Sequence, residues 1–237
     1  MLKGQIKKKA LLQEAEKLFF TKGYNRTGVQ ELVDAFHCTK GSFYHHFESK
    51  LQILGDVCAL RSERAFNQYK EQHYARDLDR LNGLLYYALP FRKGEEEMMA
   101  LILPLAGSPD SDVVMQAVLR AQEEFFRPEM EQILMRLRAD GVFHFYQDRL
   151  PQLLWDTYCA LYMRLLSACS AIAAKREVPD VAGLLCADRF IWERLLDAPY
   201  GSMHIIHADE VILSARDTVR YMKEGDRFDA DDGEADI

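Results

Sequence analysis

The stretch TGVQELVDAFHCTKGSFYHHFESK, residues 27–50, decides the fold of this chain. Thr27 and Gln30 have the spacing of a capping box, which predicts that a helix begins at Thr27. Apolar residues then recur with the spacing of one helical face, at Val29, Leu32, Val33 and Phe36. Thr39 is a suitable N-cap for a second, short helix after the turn. Two helices joined by so short a turn are typical of a helix-turn-helix.

The short second helix is expected to divide its residues between a core face and an outer face. Phe43 and Phe47 are four positions apart and can pack on the same core as Phe36. The residues left to point outward are Lys40, Ser42, Tyr44 and His45. A helix that presents small and polar residues from its first turn suits the major groove of DNA, and Gly41 lets its backbone approach the bases.

Two flanking helices complete this segment. Ser49 can cap a third helix that begins at Lys50, whose ammonium and backbone N–H groups would form a phosphate clamp. A longer helix precedes the stretch and is expected to end near Gly23. Its first turns carry Lys3, Lys7, Lys8 and Lys9. Because the helix dipole disfavours cations there, these lysines indicate either an external anion such as DNA phosphate or a solvated, frayed terminus.

The charge of the chain is unevenly distributed. The 237 residues carry a net charge of −7, which by itself argues against a nucleic-acid partner. Residues 1–50, however, hold nine Lys or Arg and five Asp or Glu, a net charge of +4, so the remainder carries −11. A basic head on an acidic body is the charge pattern of a DNA-binding domain joined to a second domain.

The cysteines and the hydropathy pattern indicate a cytoplasmic protein without a membrane partner. The chain has five scattered cysteines, an odd number that fits free thiols in a reducing compartment. No apolar run follows the first lysines as in a signal peptide, and none is long enough for a membrane span. No cofactor-binding motif is found.

The run EAEKLFFTKGYNRTGVQELVDAFHCTKGSFYHHFESKLQIL resembles the DNA-binding domain of the TetR-type family of bacterial one-component transcriptional regulators. The most specific part is TKGSFYHHFESK, followed by LFFTKGY. The resemblance implies an all-α fold, with an N-terminal three-helix helix-turn-helix domain at residues 1–50 and a C-terminal helical domain at 51–225. The second domain would bind an effector and dimerise. Residues 226–237 are acidic and poor in apolar side chains, which predicts a disordered tail.

The resemblance also implies roles for individual residues. Lys40, Ser42 and His45 would face the groove. Tyr44, Lys50 and the helix start at Thr27 and Gly28 would hold phosphates, and Thr39 and Gly41 complete the predicted DNA-binding set. The chain departs from the family pattern at Gly28, where a hydroxyl is usual, and at His37, where glycine is usual. His37 would accept a positive φ less easily than glycine.

Two long helices of the body are expected to form the dimer interface. Residues 150–175 and 180–196 read as an antiparallel pair, and the first carries a face of small residues that allows close approach. The resemblance implies that this pair meets its twin as a four-helix interface of a homodimer. The competing interpretation is that both are ordinary core helices of a monomer.

The middle helices supply large, adaptable side chains for an effector pocket. A small, mostly apolar compound suits aromatic walls with a few polar tips. The candidates are Tyr87, Phe91, Met99, Met115, Phe126, Trp155, Tyr158 and Tyr162. Each of them can equally be an ordinary core residue.

The resulting hypothesis is a DNA-binding regulator, a repressor released from its double-stranded operator by a small molecule. One alternative is a DNA-binding structural or assembly factor without an effector, which would have a filled C-terminal core. An enzyme is a weaker alternative, because no phosphate loop, nucleophile elbow or metal motif is present. A metal site at His37, Cys38, His45 and His46 is disfavoured because adjacent helical residues point about 100° apart.

Overall fold

A computed structural model describes residues 2–106, 111–177 and 179–231, and these are helical apart from short connections. The ten α-helices of this part of the chain and one short 3-10 turn run in the following order: α1 Leu2–Lys22, α2 Val29–Ala35, α3 Lys40–His46, α4 Lys50–Glu71, α5 Asp77–Ala88, α6 Glu96–Ile102, the 3-10 turn Leu103–Leu105, α7 Ser111–Ala139, α8 Leu150–Ala173, α9 Val181–Leu195 and α10 Ala208–Asp231. The prediction of an all-α fold is confirmed.

The first three helices close around an aromatic core. The ring of Phe36 lies 6.1 Å from that of Phe43 and 5.9 Å from that of Phe47, and all three side chains are buried. The turn between α2 and α3 passes through His37, whose φ is +47°. This position does need a positive φ, and histidine adopts it at some energetic cost where glycine would not.

Helix α2 begins one residue later than the capping-box prediction. Its N-cap is Gly28, and the Glu31 carboxylate accepts the Gly28 N–H at 2.7 Å. The prediction that Thr27 caps with Gln30 is wrong, because the Thr27 hydroxyl instead donates to the carbonyl of Gly23 at 2.9 Å.

Helix α4 belongs to both halves of the molecule. Its first residues complete the head, and its later turns pack against α1 on one side and α7 on the other. Glu16 of α1 is buried and accepts from Arg61 at 2.6 Å and from Arg64 at 2.8 Å. Since a buried carboxylate needs such partners, these ion pairs fix α1 on α4.

The body is built on α7, which remains one helix through Pro128 rather than two abutting ones. Around it pack α4, α5 and α8, while α10 closes the body against α6 and α8. Helix α10 extends to Asp231, so the prediction of disorder from residue 226 is wrong for 226–231. The remainder of the predicted tail lies outside the described residues.

Helices α8 and α9 pack together and leave an apolar outer face. Phe190 is 54% exposed, Met163 40% and Ile191 36%. Small side chains lie beside them, among them the exposed Ala187 and the half-buried Ala160. The inner side of α9 contains a buried carboxylate, Asp188, one oxygen of which has no hydrogen-bond partner in the described structure. Burial raises the pKa of Asp188 to about 7.

We expect Asp188→Asn to stabilise the protein in a pH-dependent manner. An acid whose pKa rises on folding holds more protons folded than unfolded, so stability is lost as the pH increases from about 4 to about 7. The variant removes that loss, so its free energy of unfolding should exceed that of the parent by roughly 2–4 kcal/mol at pH 8 and by much less at pH 4. Urea unfolding at both pH values measures the difference. The exposed Asp148→Asn is the control, and an equal gain at both pH values would contradict the assignment.

Candidate nucleic-acid interface and body cavity

Helix α3 presents a polar face to solvent. Lys40, His45 and Tyr44 are exposed, with Tyr44 at 55%, while Phe43 points into the core. Ser42 is half-buried, and its backbone N–H donates to the Thr39 hydroxyl at 3.2 Å, which caps the helix as predicted. The expected division of α3 into a core face and an outer face is confirmed.

Gly41 lies on this outer face without a steric reason within the protein. A Cβ added there would meet only the Thr39 hydroxyl, at 4.0 Å, which is ordinary contact distance. The fold itself therefore leaves room for a side chain.

Thr27 and Lys50, which were expected to hold phosphates, make hydrogen bonds within the protein instead. Thr27 is 1% exposed, and its hydroxyl is bonded inside the head, so a phosphate contact by its side chain is excluded. The Lys50 ammonium donates to the carbonyls of Tyr24 at 2.9 Å and Thr27 at 3.0 Å, and lies 4.3 Å from the Tyr24 ring. Partial burial lowers the pKa of Lys50. Both residues fix the turn before α2 to the start of α4, a role for which the sequence had no periodic signal.

Part of the lysine-rich start of α1 is also engaged within the protein. Lys8 pairs with Asp56 at 2.8 Å and Lys9 with Glu63 at 2.8 Å, both on α4. These carboxylates offset the unfavourable position in the helix dipole, so the argument for an external anion fails at these two residues. The side chains of Lys3 and Lys7 lie outside the described residues.

The body contains a half-open cavity of about 20 Å³ between α4, α7, α8 and the segment that joins α5 to α6. Three of the predicted effector residues line it: Tyr87, Phe126 and Tyr162. Phe91 lies behind it, with its ring 5.2 Å from that of Tyr162. The predicted effector residues are aromatic residues and methionines, so they do not include the polar residues of the lining.

The remaining effector candidates lie elsewhere. Met115 lines a separate, half-open groove of about 270 Å³ between α7, α8 and the 3-10 turn. Met99 and Tyr158 are fully buried in the core. Trp155 is 2% exposed and stacks on Tyr158 with 5.3 Å between the rings. These four residues do not line the cavity, because helical spacing alone does not distinguish a cavity wall from filled core.

A sequence model described as "Bacterial regulatory proteins, tetR family" matches residues 11–57, the segment from α1 to the first turns of α4. The HTH-type transcriptional repressor DhaR of Mycobacterium sp. (strain GP1) is 29% identical over 161 residues, which cover 62% of this chain and 73% of that protein. These similarities support a TetR-type transcriptional regulator. The family is one of DNA-binding regulators rather than enzymes.

Two further relatives match over shorter stretches. The uncharacterized HTH-type transcriptional regulator YuxN of Bacillus subtilis is 46% identical over 62 residues, 26% of this chain and 21% of that protein. The HTH-type transcriptional repressor KstR2 of Mycolicibacterium smegmatis is 33% identical over 76 residues, 31% of this chain and 37% of that protein.

Further properties of the described residues concern the cysteines, membrane-spanning helices and metal-binding groups. Burial raises the pKa of Cys159 to about 11 and that of Cys169 to about 12, which keeps both thiols protonated and unreactive at neutral pH. In the described part of the chain no helix is long and apolar enough to cross a bilayer, and no group of three or more metal-binding side chains occurs.

Lys40→Ala is expected to weaken DNA binding at least tenfold, because it removes one exposed charge from the first turn of α3. Lys93→Ala is the matched control, since it removes one exposed lysine from a connecting segment of the body. Fluorescence anisotropy with promoter DNA at fixed salt gives both affinities. Equal effects of the two variants would show that α3 is not the contact surface.

Proposed function

We propose that this regulator binds double-stranded operator DNA as a homodimer, represses transcription there, and is released by a small effector that binds in the body. The observation that carries the DNA-binding part is the outer face of α3, which is polar and exposed. The packing of the protein does not itself require a glycine at position 41 of this face. The described helices provide a rigid support for this face through the buried aromatic rings behind it.

The groove-facing residues of this proposal are Lys40, Ser42 and His45, with Gly41 as the point of closest approach. Tyr44 and the N–H groups around Gly28 contact phosphates, and Thr39 and Lys50 act by positioning α3 and α4. Residues 1–50 then form the DNA-binding unit and 51–225 the effector and dimerisation unit, with α4 as the connection between them.

The dimer is formed by the outer face of α8 and α9. This face is apolar and exposed in the single chain, and its small residues allow a second helix pair to approach closely. A homodimer with twofold symmetry places one α3 helix in each of two successive major grooves, whose centres are about 34–36 Å apart.

Effector release requires that the body alter the position of the head. A chain of charged contacts joins them: Arg92 pairs with Glu95 at 2.8 Å, Glu95 lies 4.0 Å from Arg61, and Arg61 pairs with Glu16 of the head at 2.6 Å. Arg61, Arg92 and Glu95 also line the cavity. A ligand that favours a different arrangement of these contacts changes the spacing of the two heads and so weakens DNA binding.

A regulator without an effector is the second candidate, and the small size of the cavity favours it. A space of about 20 Å³ holds about one water molecule, so this cavity has no room for a larger compound as it stands.

A gel shift with DNA from upstream of the gene tests the function directly. We expect a retarded complex whose affinity falls steeply with added salt, because Lys and Arg side chains displace counterions from phosphates. Binding that is lost with a small molecule supports effector release, and binding insensitive to every compound supports the second candidate. Failure to bind this DNA at low salt would refute the DNA-binding function.

Phe190→Glu is expected to convert the dimer to a monomer, because it places a charge in the apolar face that the two copies share. Tyr146→Glu is the control, since Tyr146 is 90% exposed in the connection between α7 and α8. Sedimentation velocity measures the mass of each variant. A monomeric parent protein, or a dimeric Phe190→Glu variant, would contradict the proposed interface.

A further inference from the structure

The cavity of the body is lined by three buried side chains with unused hydrogen-bonding atoms. Arg92 comes from the segment between α5 and α6, Gln122 from α7 and Tyr162 from α8, and they are 7%, 3% and 0% exposed. In the described structure the Arg92 Nε, the Gln122 Oε1 and the Tyr162 hydroxyl have no hydrogen-bond partner. Three such atoms at one cavity are unusual, because buried polar groups are nearly always paired.

Other polar atoms of the same residues and their neighbours are paired. The Gln122 Nε2 donates to the Ala88 carbonyl at 2.6 Å, and an Arg92 Nη2 donates to Gln68 at 3.2 Å. Tyr158 lies one turn before Tyr162 on α8, and its hydroxyl donates to the Leu85 carbonyl at 3.0 Å. At this cavity the atoms without a partner are therefore the Arg92 Nε, the Gln122 Oε1 and the Tyr162 hydroxyl, and one group bound there would pair with all three.

The unused atoms define the hydrogen bonds of that group. The Arg92 Nε can only donate, the Gln122 Oε1 can only accept, and the Tyr162 hydroxyl can do either. A complementary ligand must therefore both accept and donate a hydrogen bond at one end. A hydroxyl or a primary amide does both, whereas a carboxylate only accepts.

The charges around the cavity are already balanced. Arg92 is paired with Glu95, and Arg61 with Glu16 and Glu97. Burial raises the pKa of Glu95, which further disfavours an excess of negative charge at this place. Neither guanidinium requires an anionic ligand, and a second buried anion beside Glu95 would be costly.

The rest of the lining is aromatic or flexible. Phe126 and Met98 are buried at the cavity, and the Tyr87 ring lies 4.9 Å below the Arg92 guanidinium. We propose that the cavity takes a small uncharged aromatic molecule whose hydroxyl or amide group donates to Gln122 and accepts from Arg92, with Tyr162 as the third partner. This inference rests on the proposed effector function and names the class of the effector.

Entry of such a ligand requires the cavity to widen. Its volume of about 20 Å³ is far below the roughly 150 Å³ that encloses a benzene ring. Met98 is the adaptable wall, since its unbranched side chain can be repacked. Ser62 and Ala65 of α4 form another wall, so widening acts on the helix that holds the head.

The test uses the full-length protein without DNA and four probes of similar size. Thermal unfolding and calorimetric titration are measured with benzamide, benzyl alcohol, benzoate and toluene at millimolar concentration. We expect benzamide and benzyl alcohol to bind and raise the Tm. Benzoate should fail because of its charge, and toluene because it pairs with none of the three polar atoms.

Two tyrosine variants on α8 separate binding from packing. Tyr162→Phe removes a hydroxyl without a partner, so the free protein should be as stable as the parent or more so, while affinity for benzamide falls about tenfold. Tyr158→Phe removes a bonded hydroxyl outside the cavity lining and should lower stability yet leave affinity unchanged. The chain therefore supplies its own matched control.

Three results would overturn the proposal: no binding of either neutral polar probe, equal binding of benzoate, or unchanged benzamide affinity in Tyr162→Phe. None of them depends on DNA, so they leave the operator function standing. Conversely, a protein that binds benzamide as expected but ignores its upstream DNA would refute the proposed function and retain the ligand site.

Discussion

The buried contact of Glu16 with Arg61 and Arg64 is the interaction on which the arrangement of the molecule depends. It joins α1, the first helix of the head, to α4, which continues into the body. A buried carboxylate without these guanidinium groups would be strongly unfavourable, so the contact forms only in one relative position of the two helices. The Phe20 ring, 4.6 Å from the Arg61 guanidinium, adds an apolar side to the same position.

Arg61 gives this contact a second consequence. Its guanidinium contacts Glu16 of the head and the carboxylates of Glu95 and Glu97 at the start of α6, so it is bonded to both parts of the protein. A local change in the cavity that moves Glu95 must therefore alter the surroundings of Arg61. Long-range coupling of this kind needs a physical connection, and the ion pairs around this guanidinium run without a break from head to body.

The head could be predicted from the sequence to a large extent. The spacing of Val29, Leu32, Val33 and Phe36, followed by Thr39 and the pair Phe43 and Phe47, is local information, because helix faces and caps are set by residues three or four positions apart. The same local rules predicted the outward residues of α3. They failed at Thr27, whose hydroxyl donates to Gly23 in the turn before α2, and at Lys50, whose partners Tyr24 and Thr27 are far away in the chain.

The body was less predictable for a related reason. Helices α8 and α9 could be placed within two residues of their ends. The cavity, however, depends on which faces of α4, α7 and α8 meet, and helical periodicity carries no such information. Arg92 and Gln122 look like surface residues in the sequence, yet both are buried. The sequence by itself determined the all-α fold, the resemblance to TetR-type regulators and the polar outer face of α3. Only the tertiary structure decided that Lys50 serves the fold, that Arg61 joins head to body, and that three unpaired polar atoms share one cavity, because each of these results from contacts between residues far apart in the chain.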